Sequence, residues 1–149
     1  MNLSERRVAR ALALQALYEV DCTTHPVEQV VPERLRENQI SEEQRTFIYG
    51  LVNGVRDHLS ELDTLIAAHA SQHPLDQLAV IDHNILRMAI YDFAIARQTP
   101  VSAAINEAVE LAKDFGAESA YRFVNGVLGA LADEFAADPG KARAQEGSS

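Results

Sequence analysis

Arg6, Arg7 and Arg10 set three guanidinium groups within five residues near the start of the chain. A guanidinium is a permanent cation whose planar fork of donors matches phosphate oxygens, so this cluster suits the holding of a polyanion. In a helix, steps of about 100° bring the three into roughly one 100° arc and gather Ala9, Leu12, Ala16 and Val20 on another side. One surface is then cationic. The plain alternative is a solvated helix start, where positive charge is slightly unfavourable against the helix dipole. Gln15 and Tyr18 continue along the exposed flank. The amide offers a donor and an acceptor that suit solvent or a base edge, and the tyrosine brings a flat ring with a hydroxyl.

Arg122 and Phe123 form the second constellation. A guanidinium beside an aromatic ring can neutralise a phosphate and stack an unpaired base, the two operations that single-stranded RNA recognition needs. Phe123 taken alone is more often a core residue. His69 and His73 have the four-residue spacing of two metal ligands, but Ala70-Ser71-Gln72 between them lacks the glutamate of a zinc protease and Pro74 follows at once. No metal site is expected there. Arg87 reads as one half of an internal ion pair or as a side chain lying along its helix. Asp82, beside Ile81 and Ile85, reads as an exposed carboxylate. With neither a glycine-rich phosphate loop nor a nucleophile elbow, and no distinctive carboxylate pair, the chain reads as a binding protein without cofactor, not as an enzyme.

The net charge of −9 argues against nucleic acid until its distribution is considered. Residues 1–18 carry +2, which leaves −11 on the rest: a small basic end on an acidic body. Such polarity fits local contact with RNA and contact elsewhere with a basic protein. Cys22 is the only cysteine, so no intrachain disulfide can form and a reducing cytoplasm fits. The first residues lack the apolar run of a signal peptide, and charges interrupt Glu42–Ala70, the longest amphipathic stretch, so neither secretion nor a membrane span is expected.

The elements that must position these residues are helices. Apolar residues recur at three- and four-residue steps, and no alternating run reads as a strand, which predicts an all-α protein. Ser4 is expected to cap a first helix running to about Asp21, and a shorter helix to follow near Pro32–Glu37. Ser41-Glu42-Glu43-Gln44 is a capping-box pattern opening a long helix. Its buried stripe comprises Ile48, Leu51, Val52, Val55, Leu59, Leu62 and Ile66, and Gly50 and Gly54 would let a neighbouring helix approach. Pro74–Ala96 predicts the next helix, with Leu78, Ile81, Ile85, Met88 and Phe93 in the core and a break at Thr99-Pro100. Val101–Phe115, capped by Gly116, precedes a last helix from about Glu118 or Ser119 to Ala137, in which Gly126 would permit close packing. The expected organisation is one domain over residues 1–139, ended by Asp138-Pro139-Gly140, with a flexible polar tail over 140–149.

Four strings in order carry a resemblance. They are Arg6-Arg7-Val8-Ala9-Arg10 continuing to Tyr18, Leu78-Ala79-Val80-Ile81-Asp82 continuing to Phe93, Pro100-Val101-Ser102-Ala103-Ala104-Ile105-Asn106-Glu107-Ala108 continuing to Lys113, and Phe115-Gly116-Ala117-Glu118 continuing through Phe123-Val124-Asn125-Gly126-Val127-Leu128. Together they resemble the NusB family of bacterial transcription antitermination factors. The resemblance implies an all-helical fold of two small bundles sharing one core, with the start of the last helix close to the arginine helix. It also implies binding of boxA-type single-stranded RNA together with NusE, a small-subunit ribosomal protein, within the RNA polymerase antitermination complex that reads through terminators on ribosomal RNA operons. By the same resemblance Arg6, Arg7, Arg10, Gln15, Arg122 and Phe123 belong to the RNA surface and Tyr18 and Asp82 to the NusE surface, with Glu107, Glu110 and Glu118 extending the acidic field. Relatives occur as monomers and as homodimers, and many carry a denser basic run than this chain. Two alternatives stand beside this reading: a helical protein-interaction module, and an accessory RNA-binding domain of ribosomal RNA processing. A methyltransferase domain of the kind attached to some such accessory domains would not fit within 149 residues.

Overall fold

The computed structural model describes residues 1–70 and 73–137, and all regular structure among them is helical. The chain divides into two compact units, Met1–Asp57 and His58–Ser149. The expected terminator Asp138-Pro139-Gly140 and the polar tail 140–149 lie outside the described residues, as do Ser71 and Gln72.

The first unit comprises α1 (Leu3–Cys22), α2 (Val27–Arg36) and α3 (Glu42–Asp57), with α1 packed against both others. Asn2, not Ser4, caps α1. Its side chain accepts from the Glu5 backbone N–H at 2.8 Å, and the Glu5 carboxylate accepts from the Asn2 N–H at 3.3 Å, a reciprocal box that Ser4 cannot make from inside the helix. The box expected at Ser41 is formed, with Gln44 N–H donating to Ser41 Oγ at 3.1 Å and Ser41 N–H to Gln44 Oε1 at 2.9 Å.

α2 begins at Val27, five residues before the expected start, so Pro32 stands inside it. An interior proline removes one backbone hydrogen bond and costs about 3 kcal/mol. Complete burial of Val30 and Val31, with Leu35 3% exposed, offsets that loss through packing that local propensity does not register.

The second unit comprises α4 (Leu59–His69), α5 (Val80–Ile90), α6 (Val101–Phe115) and α7 (Ala120–Ala137). α4 and α6 each pack against both α5 and α7, and α5 packs against α7. Leu62, Ile66, Ile85, Leu86, Ile90, Val124, Leu128 and Leu131 form its fully buried interior. The single long helix expected after Glu42 is broken at His58, whose ψ of 21° leaves helical geometry and whose ring lies 5.6 Å from that of Tyr91. Neither proline nor glycine marks the break. The apolar spacing of the sequence continues across it, from Val55 to Leu62, so periodicity does not reveal it.

The helix expected over Pro74–Ala96 is three pieces: a 3₁₀ turn at Leu75–Gln77, α5, and a π-helical segment at Tyr91–Ala96. Arg97 then turns the chain with a left-handed backbone (φ 57°), and Thr99 donates to buried Asp92 at 3.0 Å. Ile85, Met88 and Phe93 are core as expected, whereas Leu78 and Ile81 are half-buried.

α6 has the expected bounds, but Gly116 ends it for a reason of space. Its φ is −86°, open to any residue, while an added Cβ would lie 2.8 Å from both the Ala112 carbonyl oxygen and Ala120 Cβ. Gly50 and Gly126 face open space and bring no helix closer, and Gly54 is buried.

Candidate nucleic-acid interface

In the first unit the three arginines part company. Arg7 is exposed, Arg6 is half-buried, and Arg10 is buried with its guanidinium carbon 5.4 Å from the centre of the Phe47 ring on α3. The expectation of one solvent-facing arc is therefore corrected at Arg10. A helix wheel gives direction but not what stands opposite, and here an aromatic ring covers the cation. Arg6 also works against a nearby acid. The Glu43 carboxyl is held below its ordinary range, first by the hydrogen bond and charge of the N-terminal amine and then by Arg6.

Gln15 is half-buried, and its Oε1 accepts from Arg34 Nη1 at 3.0 Å. Arg34 Nη2 also donates to Glu19 at 3.3 Å, and Glu19 meets His25 Nδ1 at 3.0 Å. The His25 hydrogen bond is the largest cause that holds the Glu19 carboxyl low, with Arg34 adding to it against the effect of burial. The Gln15 oxygen is thus committed. Arg34 lies nineteen residues away in sequence, and no local pattern announces it. Tyr18 is 42% exposed, with a phenol raised above its ordinary pKa by its hydrogen bond to Cys22.

In the second unit Arg122 and Phe123, at the start of α7, line an open hollow of about 260 Å³ together with His69, Ala70, His73, Gly126 and Val127. Phe123 is half-buried and meets the His73 ring edge-on, with centroids 4.9 Å apart. Arg122 is exposed; its Nε donates to Tyr121 Oη at 3.0 Å, and its guanidinium lies 5.5 Å from the Tyr121 ring. Lys113, from α6, places Nζ 5.5 Å from the same ring. Residue type and spacing do not single out Tyr121 or Lys113 as site residues. They reach Arg122 through the packing of α6 against α7 across the turn at Gly116, which periodicity alone does not give.

His69 and His73 do reach one hollow, though not as two ligands on one helix, since α4 ends at His69. His69 Nδ1 meets the Leu65 carbonyl oxygen at 2.9 Å and Nε2 meets the Glu134 carboxylate, so both ring nitrogens are engaged. Among the described residues no group of three metal-ligating side chains occurs.

Arg87 forms the internal ion pair that was one of the two expectations. Nε and Nη2 each donate to Asp63 at 2.9 Å, and His83 Nε2 meets the same carboxylate at 2.7 Å. Burial pushes the Asp63 carboxyl up, but the hydrogen bonds and charges of Arg87 and His83 outweigh it and leave the group below its ordinary range. Asp82 departs from expectation. It is half-buried, its Oδ1 is sealed from solvent with no hydrogen-bond partner, and burial raises its carboxyl above the ordinary range. Glu107 is likewise buried, so of the acidic field only Glu110 and Glu118 are exposed.

The arrangement can hold phosphate at Arg7 and Arg122, and the hollow beside Phe123 admits a flat ring. Comparison with known proteins shows the family. The model of the NusB family matches residues 7–133. The transcription antitermination protein NusB of Dehalococcoides mccartyi strain CBDB1 is 47% identical over 133 residues, covering 89% of this chain and 93% of that protein. The protein of the same name from Bacillus subtilis strain 168 is 43% identical over 83% of this chain and 92% of its own. Among solved structures, NusB of T. maritima superposes with a TM-score of 0.80 at 32% identity, covering 87% of this chain and 91% of that one. A chain from the complex of antitermination factors NusB and NusE with double-stranded RNA superposes with a TM-score of 0.79 at 27% identity over 87% of this chain and 97% of its own.

Proposed function

The chain belongs to the NusB family, and on that premise we propose that it is a transcription antitermination factor that binds boxA-type single-stranded RNA together with NusE. It acts in the cytoplasm within the RNA polymerase antitermination complex, as a scaffold and not as a catalyst. The observation that carries this reading is the hollow at the start of α7, where a guanidinium and an aromatic ring stand side by side on a chain of net charge −9. A protein so acidic overall gains nothing from a general attraction to polyanions, so its affinity must rest on such local patches. RNA contact is assigned to Arg7, Arg6 and the Gln15 amide in the first unit and to Arg122 and Phe123 in the second. Arg10 contributes charge from beneath the surface. NusE contact is assigned to Tyr18 in the first unit and to Asp82 in the second, whose negative charge complements a basic ribosomal protein.

The test is a titration of the full chain with a boxA-type RNA and with a scrambled oligonucleotide of equal composition, each with and without NusE. Preference for boxA that strengthens on adding NusE is the expected result. Equal affinity for the two oligonucleotides, unchanged by NusE, would refute the proposal and leave a protein-interaction module as the better reading.

A further inference from the structure

Arg122 follows Tyr121 directly on α7, and adjacent side chains on a helix diverge by about 100°. Their tips nevertheless meet, because Arg122 Nε donates to Tyr121 Oη at 3.0 Å and the guanidinium folds to within 5.5 Å of the ring. Holding a long exposed side chain in one such pose costs rotamer entropy that a solvated arginine would not spend. The pose uses only Nε, which leaves both terminal nitrogens to donate elsewhere. Among the described residues no carboxylate pairs with Arg122. Lys113 reaches the same ring at 5.5 Å, and the carboxylate of Glu110 is 3.5 Å away with both side chains about half exposed, a pair that solvent screens. Two cations are thus gathered on one tyrosine, and one of them, Arg122, also lines the hollow beside Phe123.

We propose that Tyr121 is a positioning residue that presents Arg122 to an RNA phosphate, and that Lys113 engages a further phosphate of the same strand while a base enters the hollow beside Phe123. The shelf extends the RNA surface by two residues, Lys113 and Tyr121, and rests on the functional reading given above. Its occupant is the backbone of single-stranded RNA and not an acidic protein segment, because an aromatic ring adjoins both cations and the hollow beside Phe123 adjoins Arg122, and both suit stacking, which a carboxylate chain cannot supply.

The experiment measures RNA affinity of the full chain with NusE across a salt series, together with thermal unfolding, for wild type and five variants. Lys113→Ala should weaken binding about threefold to tenfold and reduce the magnitude of the log–log salt slope by roughly 0.7, the loss of one phosphate on a single strand, and Lys113→Arg should restore it. Tyr121→Phe, which keeps the ring and every charge, should weaken binding about twofold to threefold with the slope unchanged. Tyr121→Ala should cost more, and Arg122→Ala should lower both affinity and slope. An unaltered slope in Lys113→Ala, or wild-type affinity in Tyr121→Phe, overturns the shelf. If Arg122→Ala still weakens binding in that case, the RNA reading survives and only this inference falls. Absence of RNA binding by wild type overturns both. Binding of poly-glutamate as tightly as RNA, lost in Lys113→Ala, assigns the shelf to an acidic protein segment and also overturns the inference.

Discussion

Asp82 Oδ1 is turned toward Gly116: a Cβ built on that glycine would lie 3.1 Å from the oxygen, which is buried and has no hydrogen-bond partner. Burial raises the carboxyl above its ordinary range. A raised folded-state value means the native protein binds the proton more tightly than the unfolded chain. The associated stabilisation is present below the unfolded pKa of about 4 and is lost as pH rises through the higher folded value. Asp82→Asn should therefore be more stable than wild type at pH 7, by up to about 1 kcal/mol, and the gain should vanish at acid pH. If Asp82 also meets NusE, the same variant should bind NusE less tightly. Asp82→Lys should unfold the local packing, at a cost of about 2 kcal/mol or more. Urea unfolding at pH 7 and pH 4 checks both, and a less stable Asp82→Asn at pH 7 would show that the oxygen has a partner in solution.

Gly116→Ala should destabilise by about 1–3 kcal/mol. The new methyl meets a backbone carbonyl and a second Cβ at 2.8 Å, neither of which can swing aside as a long side chain would. A shift in the urea midpoint with unchanged slope is the expected signature, and an unshifted midpoint would mean the α6–α7 turn relaxes freely.

Asp63 has the opposite pH sign to Asp82. Its carboxyl is held low in the folded state by Arg87 and His83, against burial, so its contribution is present above the unfolded pKa of about 4 and is lost as pH falls through the lower folded value. Asp63→Asn should cost about 2 kcal/mol at pH 7, less than a fully buried pair because the carboxylate is 25% exposed. Repeating the unfolding below pH 3 should bring variant and wild type together, and a gap that persists there would assign the loss to packing.

Arg7→Ala and Arg10→Ala should separate affinity from stability. Arg7 is exposed, so its loss should leave unfolding within about 0.5 kcal/mol and reduce the RNA salt slope by roughly 0.7. Arg10 packs against Phe47, so its loss should lower the melting temperature, at a cost of about 1–2 kcal/mol. The reverse pattern would put Arg10 in contact with phosphate.

Much of the fold was legible because helical periodicity and capping are local. The Ser41–Gln44 box, α6 from Val101 to Phe115 and the core positions Ile85, Met88 and Phe93 follow from side chains within a few turns of one another. The break at His58, the proline inside α2 and the π-helical segment at Tyr91–Ala96 were not legible, since each leaves the apolar spacing intact and is settled by what packs against it. The candidate site divides in the same way. Residue types alone single out Arg6, Arg7, Arg10, Arg122 and Phe123, because charge and aromaticity belong to the side chain wherever it stands. Whether a cation faces water or a ring, whether an amide oxygen is already bonded, and whether a carboxylate is solvated depend on partners distant in sequence. Arg10 meets Phe47, Gln15 meets Arg34, and Asp82 meets the turn at Gly116. The tertiary structure alone decided these pairings, and with them which charges remain at the surface to act.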